Sequence, residues 1–349
     1  MDLHLLEGQP HRRYNPLLRE WVLVPILEPP RSAPLRRSKA GAAARPIYDP
    51  QCNLCPGNAR ADGASVPQYD AAFVLQDDRP ALVPDPRDVH IDESGLILTR
   101  SEAGICRTVC HSPRHDLEFS TMEISDLRRL VRLWAEQVAE LGGLPGMRYV
   151  QIFGDGGEAG NCGSSHPHTH VWASASVPAV PSREHAALTG YFDARHTCLL
   201  CDYLALEQVY RERFVCENQQ FTALVPFWAA SPFEVLLLSR NHLGGFEQVS
   251  ADQLDALADV LSSLALRYDK LFDGPVPLSM GFHQQPTDGA AHPESHLHAH
   301  FYPHPEIAEE HRLPGGYPWL GAPLSRITPE FAASRLRMMP APDGSAAAD

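Results

Sequence analysis

Two short histidine-rich segments have the residue types and spacing that a catalytic site would need. Residues 165–170 read Ser-His-Pro-His-Thr-His, and residues 295–300 read Ser-His-Leu-His-Ala-His. Alternate side chains of a β-strand share a face, so each segment is expected to present three imidazoles in a row. Imidazole is uncharged near neutral pH and can therefore act as a nucleophile towards phosphorus. We predict that His168 is a nucleophile and that His170 donates a hydrogen bond to a phosphate oxygen.

A glycine-rich stretch, residues 154–165, leads directly into the first of these segments. Backbone N–H groups and hydroxyls in such a stretch can bind a phosphate. We therefore expect substrate contacts from Asp155, Gly163 and Ser164. The formal net charge of −14 would repel a nucleic acid backbone, so the expected ligand is a small phosphorylated molecule rather than nucleic acid.

Two Cys-x-x-Cys pairs have the spacing that lets two thiolates reach one zinc ion. A single pair is often no more than two buried thiols. Here, histidines stand in the same order after both pairs, and this repetition favours metal binding. The first predicted zinc site consists of Cys52, Cys55, His115 and His166. The second consists of Cys198, Cys201, His242 and His296. Five other histidines are expected to be solvated in loops: His111, His185, His196, His292 and His304.

The repeated pattern extends upstream of the histidine segments. His115 and His242 are each followed by phenylalanine at the fourth residue and by leucine at the twelfth. A capping-box sequence then opens an amphipathic helix in each half, at Ser120-x-x-Glu123 and at Ser250-x-x-Gln253. The predicted order in each half is strand, helix, strand and histidine strand. The predicted strands cover 71–76, 148–153, 233–239 and 277–282.

Such a repeated unit predicts an α+β fold, with a mainly antiparallel sheet covered by helices. We expect two tandem halves, residues 1–180 with the nucleophile and residues 181–340, followed by a flexible tail at 341–349. The sequence has no run of about 18 apolar residues, and residues 1–13 are polar. We therefore expect no membrane span and no secretion signal, and place the chain in the cytoplasm.

Motifs along nearly the whole chain show that it resembles the galactose-1-phosphate uridylyltransferases, which belong to the histidine triad superfamily and consist of two such halves. The motifs are Arg-Arg-Tyr-Asn-Pro at 12–16, Glu-Trp-Val-Leu-Val at 20–24, the Cys52 pair with Pro-Gly-Asn at 56–58, Pro-Gln-Tyr-Asp at 67–70, Val-Gln-Ile-Phe at 150–153, His-Pro-His at 166–168, Val-Pro-Phe-Trp-Ala at 225–229 and Leu-His-Ala-His-Phe-Tyr-Pro at 297–303.

The resemblance implies a reaction and a set of ligands. His168 would attack the α-phosphorus of a UDP-sugar, and a second sugar 1-phosphate would then resolve the uridylyl-histidine. Nucleotide contacts would come from Arg31, Asp77 and Asp78. The family also implies a homodimer, a structural zinc at the Cys52 group, and a second structural metal, iron or zinc. The second metal maps onto Glu184, His283, His298 and His300, whose imidazole and carboxylate groups suit either ion.

Departures from the family pattern cluster around the substrate. His170 replaces the glutamine that typically lies two residues after the nucleophile, and Pro318 and Leu324 replace residues that contact the hexose. Three functions therefore stay open. The first is uridylyl exchange between UDP-glucose and galactose 1-phosphate. The second is transfer from an NTP or nucleotide sugar to a different sugar 1-phosphate in specialised metabolism. The third is a histidine-triad nucleotide hydrolase, or a binding protein stabilised by metals.

Overall fold

The computed structural model describes residue 6 and residues 9–25, 45–154, 166–304 and 316–340. Within these residues the chain has an α+β fold, as predicted. The strands are β1 His11–Asn15, β2 Glu20–Val24, β3 Phe73–Gln76, β4 His90–Glu93, β5 Ile97–Arg100, β6 Gly104–Cys110, β7 Tyr149–Gly154, β8 His168–Ser174, β9 Phe214–Glu217, β10 Phe221–Leu224, β11 Val235–Ser239, β12 Leu278–His283 and β13 His298–Pro303. The helices are α1 Ile124–Gly142, α2 Ala179–Arg195, α3 Leu199–Tyr210, α4 Ala251–Leu271, α5 Tyr317–Leu320 and α6 Pro329–Arg337.

Nine of the strands form one antiparallel sheet in the order β3-β6-β8-β7-β12-β13-β11-β10-β9. The two halves of the sequence meet at its centre, where Gly154 of β7 lies opposite Met280 of β12. Outward from this junction, β8, β6 and β3 on one side match β13, β11 and β10 on the other. The sheet is therefore continuous across the repeat. The division of the chain at 180/181 stays a prediction, and the predicted tail at 341–349 lies outside the described residues.

The sequence pattern did not predict one strand of the repeat. The predicted strand at 71–76 is β3, whose counterpart by position in the sheet is β10. The counterpart of β11 is instead β6, at Gly104–Cys110. Most of β6 is buried on both faces, including Cys106 and Val109, so the strand does not show the alternation that marks a half-buried strand.

The two predicted capping boxes have different outcomes. Ser250 caps α4 as expected, because its hydroxyl accepts from the Gln253 N–H and the Gln253 side chain accepts from the Ser250 N–H. The prediction for α1 was wrong. That helix begins at Ile124 after Glu123, which makes no side-chain cap, and the Ser120 hydroxyl donates to Asp269 on α4. Ser120 therefore joins the two helices instead of starting one.

The helices α1 and α4 lie side by side and are linked at the surface by the pairs Arg128–Asp259 and Arg132–Asp255. They cover one face of the sheet and build the main core with it. Trp134 of α1 is fully buried, and its Nε1–H donates to Thr169 Oγ1 of β8 at 2.9 Å. Since Thr169 points at the helices, His168 and His170, its neighbours in β8, point to the opposite face.

The hydrogen bond between Trp134 and Thr169 gives a test of this packing. We expect Thr169→Val to lower the free energy of unfolding by roughly 1–3 kcal/mol, because a buried indole N–H would lose its acceptor. Urea unfolding would measure the change. In a Trp134→Phe background the same substitution should cost clearly less, and an equal cost in both backgrounds would contradict this role for the bond.

Candidate active site and metal centres

The ring of His168 is held by the chain just before it. Its Nδ1 lies 2.6 Å from the backbone carbonyl oxygen of His166. A carbonyl can only accept, so Nδ1 carries the proton, and the neutral ring has its lone pair on Nε2. The sequence predicted a nucleophile at this position. The structure adds which nitrogen would attack.

The imidazole of His166 belongs to the first cysteine group. Cys55 Sγ lies 3.5 Å from His115 Nδ1 and 3.4 Å from His166 Nδ1, and all four residues including Cys52 are buried. Sulfur and nitrogen ligands of a tetrahedral zinc are about 3.5 Å apart, so these distances fit the ion. Burial lowers the pKa of His166 to about 4. The ring is therefore neutral at neutral pH, as a metal ligand must be.

The Nε2 atom of His166 has partners outside that group. It donates to the backbone carbonyl of Ser112 at 2.8 Å, and the Tyr69 hydroxyl lies 3.4 Å away. A carbonyl that binds one ring nitrogen leaves the other for the metal and fixes the ring's orientation. These supporting contacts were missed in the sequence, because a backbone carbonyl leaves no trace in the residue types.

The second cysteine group repeats this arrangement. Cys198 Sγ lies 3.5 Å from His296 Nδ1, and Cys201 Sγ lies 3.4 Å from His242 Nδ1. His296 Nε2 donates to the Ser239 carbonyl at 2.8 Å, as His166 does to Ser112. Hydrogen bonding from Cys201 holds the pKa of Cys198 well below its usual value, which favours the thiolate form that a cation needs. This group lies nearer the surface than the first, because His242 is exposed.

A third group combines a carboxylate with three imidazoles, and the structure brings together the residues predicted for it. Glu184 lies on α2, and His283 of β12 is paired in register with His298 of β13. The Glu184 carboxylate lies 2.5 Å from His283 Nδ1 and 3.4 Å from both His298 Nε2 and His300 Nε2. Burial opposes ionisation of Glu184, but the imidazoles outweigh it and hold its pKa well below the usual value. A buried carboxylate with three imidazoles is a suitable donor set for zinc or iron.

His168 and His298 are equivalent residues with the same ring orientation. His298 Nδ1 also lies 2.6 Å from the carbonyl two residues earlier, that of His296. In the first half Nε2 is thereby left with the lone pair of a nucleophile. In the second half the corresponding Nε2 faces Glu184. The repeat therefore holds two equivalent imidazoles in the same orientation but in different surroundings.

His170 is connected to Asp77 through Thr108 of β6. The Thr108 hydroxyl donates to Asp77 Oδ1 at 2.5 Å and lies 3.3 Å from His170 Nδ1. Asp78 accepts from the backbone N–H of Ala61. Direct nucleotide contacts from Asp77 and Asp78 stay a prediction, since both carboxylates have protein partners. The predicted contacts of Arg31, Asp155, Gly163 and Ser164 lie outside the described residues.

The expectation that five histidines are solvated was wrong for three of them. His196 and His304 are exposed, whereas His185 and His292 are partly buried and face each other with ring centroids 5.1 Å apart. His111 is buried and stacks on Phe119 at 4.8 Å. Neither ring nitrogen of His111 has a hydrogen-bond partner among the described residues. The residue type alone could not reveal this, because the burial depends on how the folded chain packs Phe119 against the ring.

The buried ring of His111 should make stability depend on pH. Burial lowers its pKa well below 6.5, helped by the nearby His168 and His166. Below pH 6.5 the unfolded chain therefore takes up a proton that the folded chain excludes, and the free energy of unfolding falls. We expect His111→Phe to raise this free energy by roughly 1–3 kcal/mol at pH 7, and by more at pH 5. Urea unfolding at both pH values, with the exposed His90→Gln as control, would measure this. Equal stability of wild type and His111→Phe at pH 5 would contradict it.

Sequence comparison relates both halves of the chain to one family. A sequence model described as the N-terminal domain of galactose-1-phosphate uridyl transferase matches residues 2–178, and the model of the C-terminal domain matches residues 184–347. A galactose-1-phosphate uridylyltransferase of Haemophilus influenzae is 36% identical over 332 residues, which are 95% of this chain and 94% of that relative.

Solved structures share the fold. A uridylyltransferase structure matches with a TM-score of 0.72 at 21% identity, over 93% of this chain and 97% of the other. An ADP-glucose phosphorylase from Arabidopsis thaliana, with bound ADP-glucose, matches with a TM-score of 0.71 at 19% identity, over 95% of this chain and 100% of the other. The fold alone therefore does not select the nucleotide. Among the described residues there is no helix both long and apolar enough to cross a membrane.

Proposed function

The chain belongs to the galactose-1-phosphate uridylyltransferase family and is a nucleotidyltransferase that moves UMP, and from this premise we propose that His168 carries the UMP between a UDP-sugar and a sugar 1-phosphate. The observation that carries this proposal is the 2.6 Å contact between His168 Nδ1 and the His166 carbonyl. It places the lone pair on Nε2 and holds the ring still, which are the two properties that an imidazole nucleophile needs.

The proposed reaction has two displacements. In the first, His168 Nε2 forms a bond to the α-phosphorus while the bond to the departing sugar 1-phosphate oxygen breaks. The ring becomes cationic, and its Nδ1–H then donates more strongly to the His166 carbonyl, which stabilises the charge. In the second, an oxygen of the incoming sugar 1-phosphate attacks the same phosphorus. The bond to Nε2 breaks, and the neutral ring is restored.

His170 has a supporting role in this proposal. Its Nδ1 faces Thr108, so a hydrogen bond to a phosphate oxygen would come from Nε2. Donation from both nitrogens requires the doubly protonated ring, for which Asp77 supplies a countercharge through Thr108. A cationic donor at this position would stabilise charge that develops on the phosphoryl oxygens during transfer.

The metals in this proposal are structural. Zinc suits the two groups of two cysteines and two histidines, and iron or zinc suits the Glu184 group. A zinc bound at the first group would fix His166 and, through its carbonyl, the ring of His168. Thiolate ligands of this kind persist in a reducing compartment, which supports a cytoplasmic location. We also propose a homodimer. The exposed apolar residues of the β4–β5 hairpin, Leu96, Ile97 and Leu98, support it as a candidate contact.

The acceptor need not be galactose 1-phosphate. Pro318 lies on α5, where the neighbouring side chains of Trp319 and Leu320 are almost fully exposed. An apolar surface at the predicted hexose-contacting segment cannot hydrogen-bond sugar hydroxyls, and hydroxyl recognition depends on such partners. This observation favours the second candidate function, transfer of a nucleotide to a different sugar 1-phosphate.

One experiment separates these functions. The protein is incubated with UDP-glucose or with UTP, and its intact mass and its peptides are searched for one uridylyl group on His168. Galactose 1-phosphate or another sugar 1-phosphate is then added, with buffer alone as control. Discharge by galactose 1-phosphate supports uridylyl exchange, and discharge only by another sugar phosphate supports the second function. Rapid discharge in buffer indicates a hydrolase, and the absence of any adduct would reject the covalent mechanism.

A further inference from the structure

A fourth group of side chains meets between α2 and the loop before β13. His185 follows Glu184 on α2, while His292 and Glu294 belong to the loop. Glu294 Oε1 lies 3.1 Å from His292 Nδ1 and 3.5 Å from His185 Nε2. Nitrogen and oxygen ligands of a tetrahedral zinc are about 3.4 Å apart, so both distances fit ligands of one ion, and all three ligand atoms lie within 4.8 Å of one another. None of these residues belongs to the three groups described above.

A second carboxylate supports His292 from its other side. Asp288 Oδ1 lies 3.0 Å from His292 Nε2 and also accepts from the backbone N–H of Ala290 at 3.0 Å. A histidine that binds a metal through one nitrogen commonly donates from the other to a carboxylate, which fixes the ring and increases its basicity. Asp288 thus supports His292 through Nε2, and the other ring nitrogen, Nδ1, faces Glu294, the second ligand of the candidate site.

The exposure of the group indicates what kind of site it would be. The side chains of Glu294 and His292 are 9% and 11% exposed, whereas that of His185 is 30% exposed. The group is therefore closed on the loop side and reachable from solvent beside His185. Three protein ligands with one side open are typical of a zinc ion that keeps a position for water or another small ligand.

We propose that His185, His292 and Glu294 bind one zinc ion with an open coordination position, and that this ion fastens the loop before β13 to α2. The loop leads into His296 of the second cysteine group and His298 of the Glu184 group, while α2 carries Glu184 itself. An ion at this position would therefore tie together two segments that position ligands of both neighbouring groups. All its ligands are nitrogen or oxygen, so absorption would distinguish it from the two thiolate groups. Glu184→Gln removes a ligand of the third group alone and should keep this ion, which distinguishes it from that group.

Cobalt binding to the full chain tests this proposal. The protein is dialysed against a weak chelator and titrated with Co²⁺, and the bound equivalents are counted by elemental analysis. Wild type and the exposed control His90→Gln should bind one equivalent more than His185→Gln or His292→Gln. That equivalent should add visible absorption without the near-ultraviolet charge-transfer band of a thiolate ligand. Asp288→Asn should keep the site with about 10–100-fold weaker affinity.

Two results would overturn the proposal. One is equal cobalt content in wild type, His185→Gln and His292→Gln, which would leave His292 as a hydrogen-bonded bridge between two carboxylates. The other is a lost equivalent whose spectrum shows a thiolate ligand. His292→Gln changes the loop and His185→Gln changes the helix. Loss of the same equivalent in both, with an unchanged near-ultraviolet circular dichroism spectrum, would separate loss of a ligand from loss of the fold.

Discussion

His168→Asn is expected to abolish uridylyl transfer, with kcat reduced by at least about 10⁴-fold and no uridylylated protein formed. Asparagine can still donate to the His166 carbonyl, but it has no nitrogen lone pair to attack phosphorus. The metal content should not change, because among the described residues His168 belongs to none of the metal groups. Steady-state transfer assays, intact-mass measurement and elemental analysis would check the three expectations together.

The matched control for His168→Asn is His170→Gln in the same strand. It restores the residue that the family typically has there, so the adduct should still form. Turnover by His168→Asn within tenfold of the wild-type rate would refute the nucleophile assignment. Loss of the adduct in both variants, with normal turnover, would indicate direct transfer between the two substrates.

Cys55→Ser and Cys198→Ser should each remove one metal ion per chain but differ in activity. Each is expected to lower the free energy of unfolding by more than about 3 kcal/mol, because a structural metal stabilises the folded chain only while its ligands are complete. Cys55→Ser should also lose most of its transfer activity, since Cys55 lies beside His166, whose carbonyl holds the ring of His168. Cys198→Ser should retain most of it, because the nucleophile lies in the other half.

Elemental analysis, urea unfolding and transfer assays on this pair of variants would distinguish a metal that only stabilises the fold from one that also supports catalysis. Unchanged metal content in Cys198→Ser would reject a metal at the second cysteine group. Equal loss of activity in both variants would show that the two halves do not act separately, and would contradict the special connection between the first group and His168.

The sequence predicted the contents of the metal groups better than their geometry. Repeated spacing was sufficient to assign eight candidate ligands to two groups, because chemically unusual residues recurred in matching order. The Glu184 group came from the resemblance to the family. The expectation of three imidazoles on one strand face was only partly met. His168 and His170 lie on β8, but His166 precedes the strand, and its ring belongs to the Cys55 group.

Contacts between elements distant in the chain were not predictable from local pattern. His185 and Glu294 are separated by more than a hundred residues. They meet only because the fold brings α2 to the loop before β13. Thr108 was missed as the partner of His170 because β6 is buried on both faces and shows no alternation. The polarity of His111 suggested solvent, whereas packing against Phe119 buries it.

The union of both halves in one chain and one sheet has a consequence for how far their equivalent residues can differ in role. Two identical chains related by a twofold axis would carry the same residues at both equivalent positions, so any change to one would be made to the other. Here both units lie in a single polypeptide, and β7 pairs with β12 where they meet. Symmetry could therefore be broken one residue at a time. The imidazole of His168 could keep a reactive nitrogen while that of His298 became a fixed ligand, without either specialisation damaging the other.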